Sequence, residues 1–215
     1  MARFRTGDIF SFPLPNGEYL SGRILLDVKQ QCVRPKRLKP DSPLGFFSNT
    51  LLLETYTRTS STPSAAPSEV LIPGVFMDAG SLQSGLWEIV GHQEVDPTTV
   101  EFPESLLNLG PHPHFVRGEI LLPLGLTSGD LARINVYRTI EPSSMLGEKC
   151  AYYLERLSSP ESAALPPGDI RSLAGSDLRF SEYRDEVYQA LGQDKDQSYY
   201  EMSTRLGHDI GRFYG

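Results

Sequence analysis

The stretch from Gly7 to Leu26 constrains the fold more than any other part of the chain. Ile9, Phe10, Phe12 and Leu14 make one apolar run, and Tyr19, Leu20, Ile24, Leu25 and Leu26 make a second, separated by Pro15, Asn16, Gly17 and Glu18. An Asn-Gly pair between two apolar runs supplies the φ > 0 positions that a tight turn between antiparallel strands needs, so a β-hairpin is expected. Pro13 has no backbone donor, which either puts the first strand at a sheet edge or ends it near that residue.

Further strands are predicted over 46–56, over 70–77 with a bend at Pro73-Gly74, and over 86–95, where alternation puts Trp87 and Ile89 on one face. Segments 115–124 and 132–140 also suit strands, while 81–85 reads as a turn. The basic, proline-punctuated segment 29–43 and the Ser/Thr/Pro/Ala tract 57–68 read as loops. Pro103 to Asn108 reads as a short helix with proline at its start and Gly110 beyond its end. From Leu146 the pattern turns helical: Leu146, Cys150, Tyr153, Leu154 and Leu157 form one stripe. Ser158 to Gly175 is a connection, and a second helix spans 181–191 with Gly192 as its stop. Ser198 and Glu201 form a capping-box pair ahead of a third helix that buries Tyr199, Met202, Leu206, Ile210 and Phe213, and whose Gly207 and Gly211 allow close approach to a neighbour. Strands first and helices later define an α+β protein: a mainly antiparallel twisted sheet or partly open barrel with a helical C-terminal region. Residues 1–141 make the β-rich core and 142–215 the helical region packed on it, as one compact domain.

Charge is unevenly placed. The chain carries a net −7, but residues 1–58 hold nine Lys/Arg against five Asp/Glu, leaving −11 for the remainder. Between Thr59 and Val116 there is no Lys or Arg, and that span holds Glu69, Asp78, Glu88, Glu94, Asp96, Glu101 and Glu104. These seven carboxylates either pair with distant cations, stay solvated, or form an acidic face for a basic partner. The acidic balance argues against direct nucleic-acid binding. Two cysteines without metal spacing, no leader-like apolar segment at the N-terminus and no apolar run of about 20 residues point to a cytoplasmic chain with no membrane span.

Signatures of catalysis are sparse. There is no P-loop, no G-x-S-x-G elbow, no dinucleotide fingerprint and no H-E-x-x-H. His112 and His114 have ligand-like spacing, but a hydrolytic metal site needs a third ligand, and their flanking prolines favour an exposed loop. Cys32 has cations nearby in sequence that could lower its pKa, with no histidine beside it. No cofactor is expected.

The pattern Gly7-Asp8-Ile9-Phe10, Pro13-Leu14, Gly17, Tyr19, Gly22-Arg23-Ile24-Leu25, followed by Trp87, Ile89, Val90 and Gly91, resembles the immunity-protein family 26 of bacterial polymorphic toxin systems, a grouping also labelled with a HocA-type phosphotriesterase. The resemblance covers roughly the first 95 residues. It implies a non-enzymatic immunity protein that binds and neutralises a cognate toxin domain, such as a basic nuclease, with the seven carboxylates of the cation-free span as the binding face. The phosphotriesterase label implies the alternative of an organophosphate hydrolase with a metal near His112 and His114. An orphan protein-interaction module is the third reading. Arg23 and Tyr19 are expected to be structural, in an ion pair or hydrogen bond and in packing.

Overall fold

A computed structural model describes residues 4–109, 112–159, 165–166 and 168–215. Among these residues, eight strands form two antiparallel sheets: β1 (Asp8–Pro13), β2 (Tyr19–Asp27), β3 (Leu51–Tyr56), β4 (Val70–Met77) and β5 (Glu88–His92) in the order β4-β3-β2-β1-β5, and β6 (Glu104–Leu109), β7 (His112–Arg117) and β8 (Ile120–Pro123) in chain order. Neither sheet closes. With α1 (Gly80–Gln83), α2 (Ser128–Ile134), α3 (Leu146–Ser158), α4 (Arg184–Leu191) and α5 (Tyr199–Arg205), the chain is α+β.

β1 and β2 pair antiparallel from Ile9↔Arg23 to Pro13↔Tyr19. β1 lies inside the sheet, so Pro13 accommodates its missing donor by ending the strand. In the connection, the Leu14 carbonyl accepts from Gly17 N at 3.0 Å and Leu14 N donates to Glu18 O at 2.8 Å. Of the Asn-Gly pair expected to supply the positive-φ positions, Gly17 alone does so (+86°), and Pro15 and Asn16 sit in an ordinary turn closed by this left-handed glycine. Gly22 meets a different demand. A Cβ there would lie 2.5 Å from the Glu54 carbonyl oxygen and 2.6 Å from Phe10 Cζ, so β2 can pass β3 and the Phe10 ring only without a side chain.

The larger sheet is apolar on both faces. Leu26, Leu52 and Phe76 belong to a core shared with Phe102, Phe115, Ile120, Val187, Tyr188, Tyr199, Met202 and Phe213. Ile24, Leu51, Leu53, Val75 and Met77 belong to a second core with Phe10, Phe12, Trp87, Leu146 and Cys150. Side chains alternate between sheet faces, so the consecutive Leu51, Leu52 and Leu53 feed both cores in turn. Trp87 stacks on Phe10, with ring centroids 4.8 Å apart, and Ile89 packs against the same core.

Several elements depart from the sequence reading. Val28–Val33 coil into a π-helical turn, capped by Asp27, whose carboxylate accepts from Gln30 N; the prolines begin only at Pro35, so nothing in this stretch blocks a helix. Phe46 and Phe47 lie in a 3₁₀ turn (Pro43–Phe47), and the strand starts at Leu51. The short helix expected at 103–108 is instead β6, paired with β7 from Glu104↔Arg117 to Leu109↔His112; its expected stop, Gly110, lies outside the described residues, as do 160–164 and 167 of the 158–175 connection. Residues 115–124 form two strands joined by Gly118-Glu119, and 132–140 is the end of α2, its left-handed cap Asn135 (φ +52°) and an irregular segment. The third helix ends at Arg205, two residues before the left-handed Gly207 (φ +78°), where an added Cβ would meet nothing within 4 Å; Ile210 and Phe213 reach the core from a separate 3₁₀ turn. Leu206 is therefore exposed, and Leu157, at the far end of the α3 stripe, is exposed as well.

Gly22→Ala should lower stability by about 1–3 kcal/mol, because the added methyl must displace either a backbone carbonyl or a buried ring. A reduced urea midpoint with an unchanged slope would confirm it; a wild-type midpoint would contradict it.

Candidate partner-binding surface

The seven carboxylates of the cation-free span have separate fates. Glu104 is fully buried on β6. Arg184 grips it through Nε (2.8 Å) and Nη2 (2.9 Å), and the Tyr188 hydroxyl donates to it at 2.8 Å. Arg117 stands 3.7 Å away, itself only 3% exposed in its side chain, and bonds Glu101 with its other arm. Glu101 also accepts from Tyr199 N at 3.0 Å. The two carboxylates outweigh the burial of the Arg117 guanidinium and push its pKa further up, while burial and Glu104 hold the Tyr188 phenol well above its usual range. Glu101 and Glu104 thus join the second sheet to α4 and α5.

Asp78 is also committed inward. It accepts from Ser143 N (3.0 Å), Ser143 Oγ (2.8 Å) and Gly80 N (2.6 Å). Partial burial opposes ionisation there, but these hydrogen bonds outweigh it and lower the pKa. Asp96 is exposed yet caps the turn at Pro97–Thr99, accepting from Thr98 N at 2.9 Å.

Glu69, Glu88 and Glu94 remain. All three are exposed, and none forms an ion pair among the described residues. Glu69 precedes β4 at one margin of the five-stranded sheet, whereas Glu88 lies on β5 and Glu94 just beyond it at the other. Arg23, on the resemblance pattern, pairs with Glu54 (2.8 Å) and reaches the Glu94 carbonyl (3.3 Å); Tyr19 is half-buried, and its backbone bonds Ser60.

His112 and His114 lie on β7 and not in a loop, and His114 Nδ1 faces the His112 carbonyl at 3.0 Å. Among the described residues, no three His, Cys, Asp or Glu side chains are grouped so as to hold a metal ion, so no third ligand joins these two. His92 instead bonds Asp8 at 2.8 Å. Cys32 is fully buried; desolvation, helped by Glu119, pushes its thiol up to about 12, the reverse of the activation its sequence neighbours suggested. Burial pushes Cys150 to about 12 as well. No helix among the described residues is long and apolar enough to cross a membrane.

Two signals for this geometry were in the sequence and two were not. The Gly192 stop and the Ser198 capping box fix α4 and α5, and with them Arg184, Tyr188 and Tyr199. Nothing local marks Arg117 and Arg184 as partners of Glu101 and Glu104, because their separations along the chain are 16 and 80 residues.

Residues 5–108 match the family model described as immunity protein 26. The matched span is just under half of the 215-residue chain and contains all five strands of the larger sheet and nearly all of β6. That description carries no phosphotriesterase label, and the hydrolase alternative gains no support from it. Comparison with curated proteins and with solved structures gives no significant match.

Glu104→Ala should destabilise the protein by about 3–5 kcal/mol by taking the carboxylate away from the Arg184 guanidinium and the buried Tyr188 hydroxyl, measurable as a large loss of thermal and urea stability. Unchanged stability would show the network to be dispensable. Both cysteines should resist a thiol reagent at pH 8 in the folded protein and react promptly once urea unfolds it; fast reaction in the native state would contradict their burial.

Proposed function

We propose that this protein is a cytoplasmic immunity protein of a bacterial polymorphic toxin system, which binds a cognate toxin domain and blocks it without chemistry of its own. The match of residues 5–108 to immunity protein 26 carries this reading. The larger sheet that this span builds contains the nearly buried Arg23–Glu54 ion pair and the glycine-dependent packing at Gly22, which suit a preformed surface. A net charge of −7, with Glu69, Glu88 and Glu94 exposed and unpaired among the described residues, favours a basic partner. A nuclease domain fits, because its nucleic-acid groove is itself basic and an acidic protein would be steered into it.

Expression of the gene immediately upstream should arrest growth in a host lacking this protein, and co-expression of this chain should restore it. The two products should co-purify, with an affinity that weakens as salt rises from about 0.1 to 0.5 M. No rescue and no complex would overturn the immunity reading, and a salt-independent affinity would overturn its electrostatic part.

A further inference from the structure

The two margins of the five-stranded sheet are finished differently. Along β4 the outer edge is occupied by the protein's own groups: Glu141 N donates to Phe76 O at 2.8 Å, Asp78 N to Glu141 O at 3.4 Å, and Arg179 to the carbonyls of Pro73 and Gly74. β6 is covered in the same manner, with Leu106 N donating to Val136 O at 3.0 Å, and β8 is four residues long and ends on Pro123, which has no donor. β5 is different. Its pairing is with β1 alone, and among the described residues no other backbone or side-chain group bonds the main chain of 88–92.

An open edge is a template for another strand, and chains that need only to guard one commonly shorten or bulge it or place lysine or proline there; β5 is five residues long and its register with β1 shifts once, at Val90. Residues 86–96 contain no Lys or Arg, the one histidine, His92, is bonded to Asp8, and the only proline nearby, Pro97, lies beyond the strand. The margin presents Leu86, 57% exposed, half-buried Ile89 and Val90, and the exposed carboxylates Glu88 and Glu94. Two cations lie close by without pairing with either carboxylate: Arg5, 75% exposed in its side chain, stands 3.6 Å from Asp8, and Arg23 is bonded to Glu54 and to the Glu94 carbonyl. From beneath, Trp87 is locked against Phe10, so the strand is held rigidly in place.

We propose that the β5 edge is the docking line for the toxin, receiving one extended segment of it as a sixth strand, with lysine or arginine side chains set against Glu88 and Glu94 and an apolar side chain against Leu86. Main-chain hydrogen bonds supply affinity in such an addition, and the charge pairs select register and partner. This inference rests on the immunity reading and names the surface through which it acts.

The test uses the full chain and the protein encoded immediately upstream. Hydrogen exchange should show amides within 88–92 slowed at least about tenfold on complex formation. Glu88→Lys should weaken binding at least about tenfold near 0.1 M salt, whereas Glu182→Lys, the same charge change at an exposed residue outside both sheets, should stay within about twofold. Both side chains are exposed, so both variants should fold like the parent. Growth rescue with unprotected β5 amides, or equal losses from the two reversals, would overturn the edge assignment and leave the immunity reading intact. Absence of both rescue and complex would overturn the two together.

Discussion

β3 is buried along its whole length, and that single condition dictates most of the architecture. A strand with apolar side chains on both faces cannot sit in a sheet that meets water on one side. Something must cover each face. On one side α3 lays down Leu146 and Cys150; on the other, the second sheet and the C-terminal helices bring Phe115, Tyr199, Met202 and Phe213 onto Leu26, Leu52 and Phe76. The span that matches immunity protein 26 stops at residue 108, before nearly all of this covering material. The C-terminal half is therefore the other half of the core, and severing it would expose a full sheet face to water.

The same covering elements explain where the acidic span's charge goes. A carboxylate fully taken from water needs a cationic donor, and no Lys or Arg lies between Thr59 and Val116. Arg117 and Arg184 supply them to Glu101 and Glu104, just as Arg179 pairs with Asp177, Lys149 with Glu141, and Arg212 with Glu119. Such pairs add little net stability over apolar substitutes, but they penalise every arrangement that separates the partners. They fix how the second sheet and α4 seat on the rest, a job that greasy contacts alone perform loosely.

Legibility in the sequence followed the range of the interaction. Where a few adjacent residues decide the matter, the reading holds: the capping box at Ser198, the glycine stop at Gly192, the stripe that begins α3, and the bend at Pro73-Gly74, where the pairing of β3 with β4 shifts register. Where partners far along the chain decide, it fails. Pro103 followed by Glu-Ser-Leu-Leu carries a helix-start signal, yet pairing with β7 and the buried Arg184 contact make it a strand. Likewise Ala132 to Ile140 has β-branched alternation, but the Thr127 cap, reciprocated by Asp130, starts a helix upstream that runs through Ile134. The acidic span was visible as composition; its division into internal and external carboxylates was not, since that depends on cations 16 or more residues away.

This division also separates two kinds of position within one family-like sheet. Glu104, Gly22 and Phe10 are each held by several neighbours, so changing them disturbs the core that everything else stands on. Glu88 and Glu94, with no side-chain partner among the described residues, can change identity or charge at a cost typically within about 0.5 kcal/mol. A protein that must match one partner and reject its relatives needs such uncommitted positions next to rigid ones: rigidity keeps the entropy lost on binding small, and freedom at the rim lets recognition be retuned without refolding. Trp87, clamped on Phe10 immediately before Glu88, puts those two requirements on adjacent residues at the entry to β5.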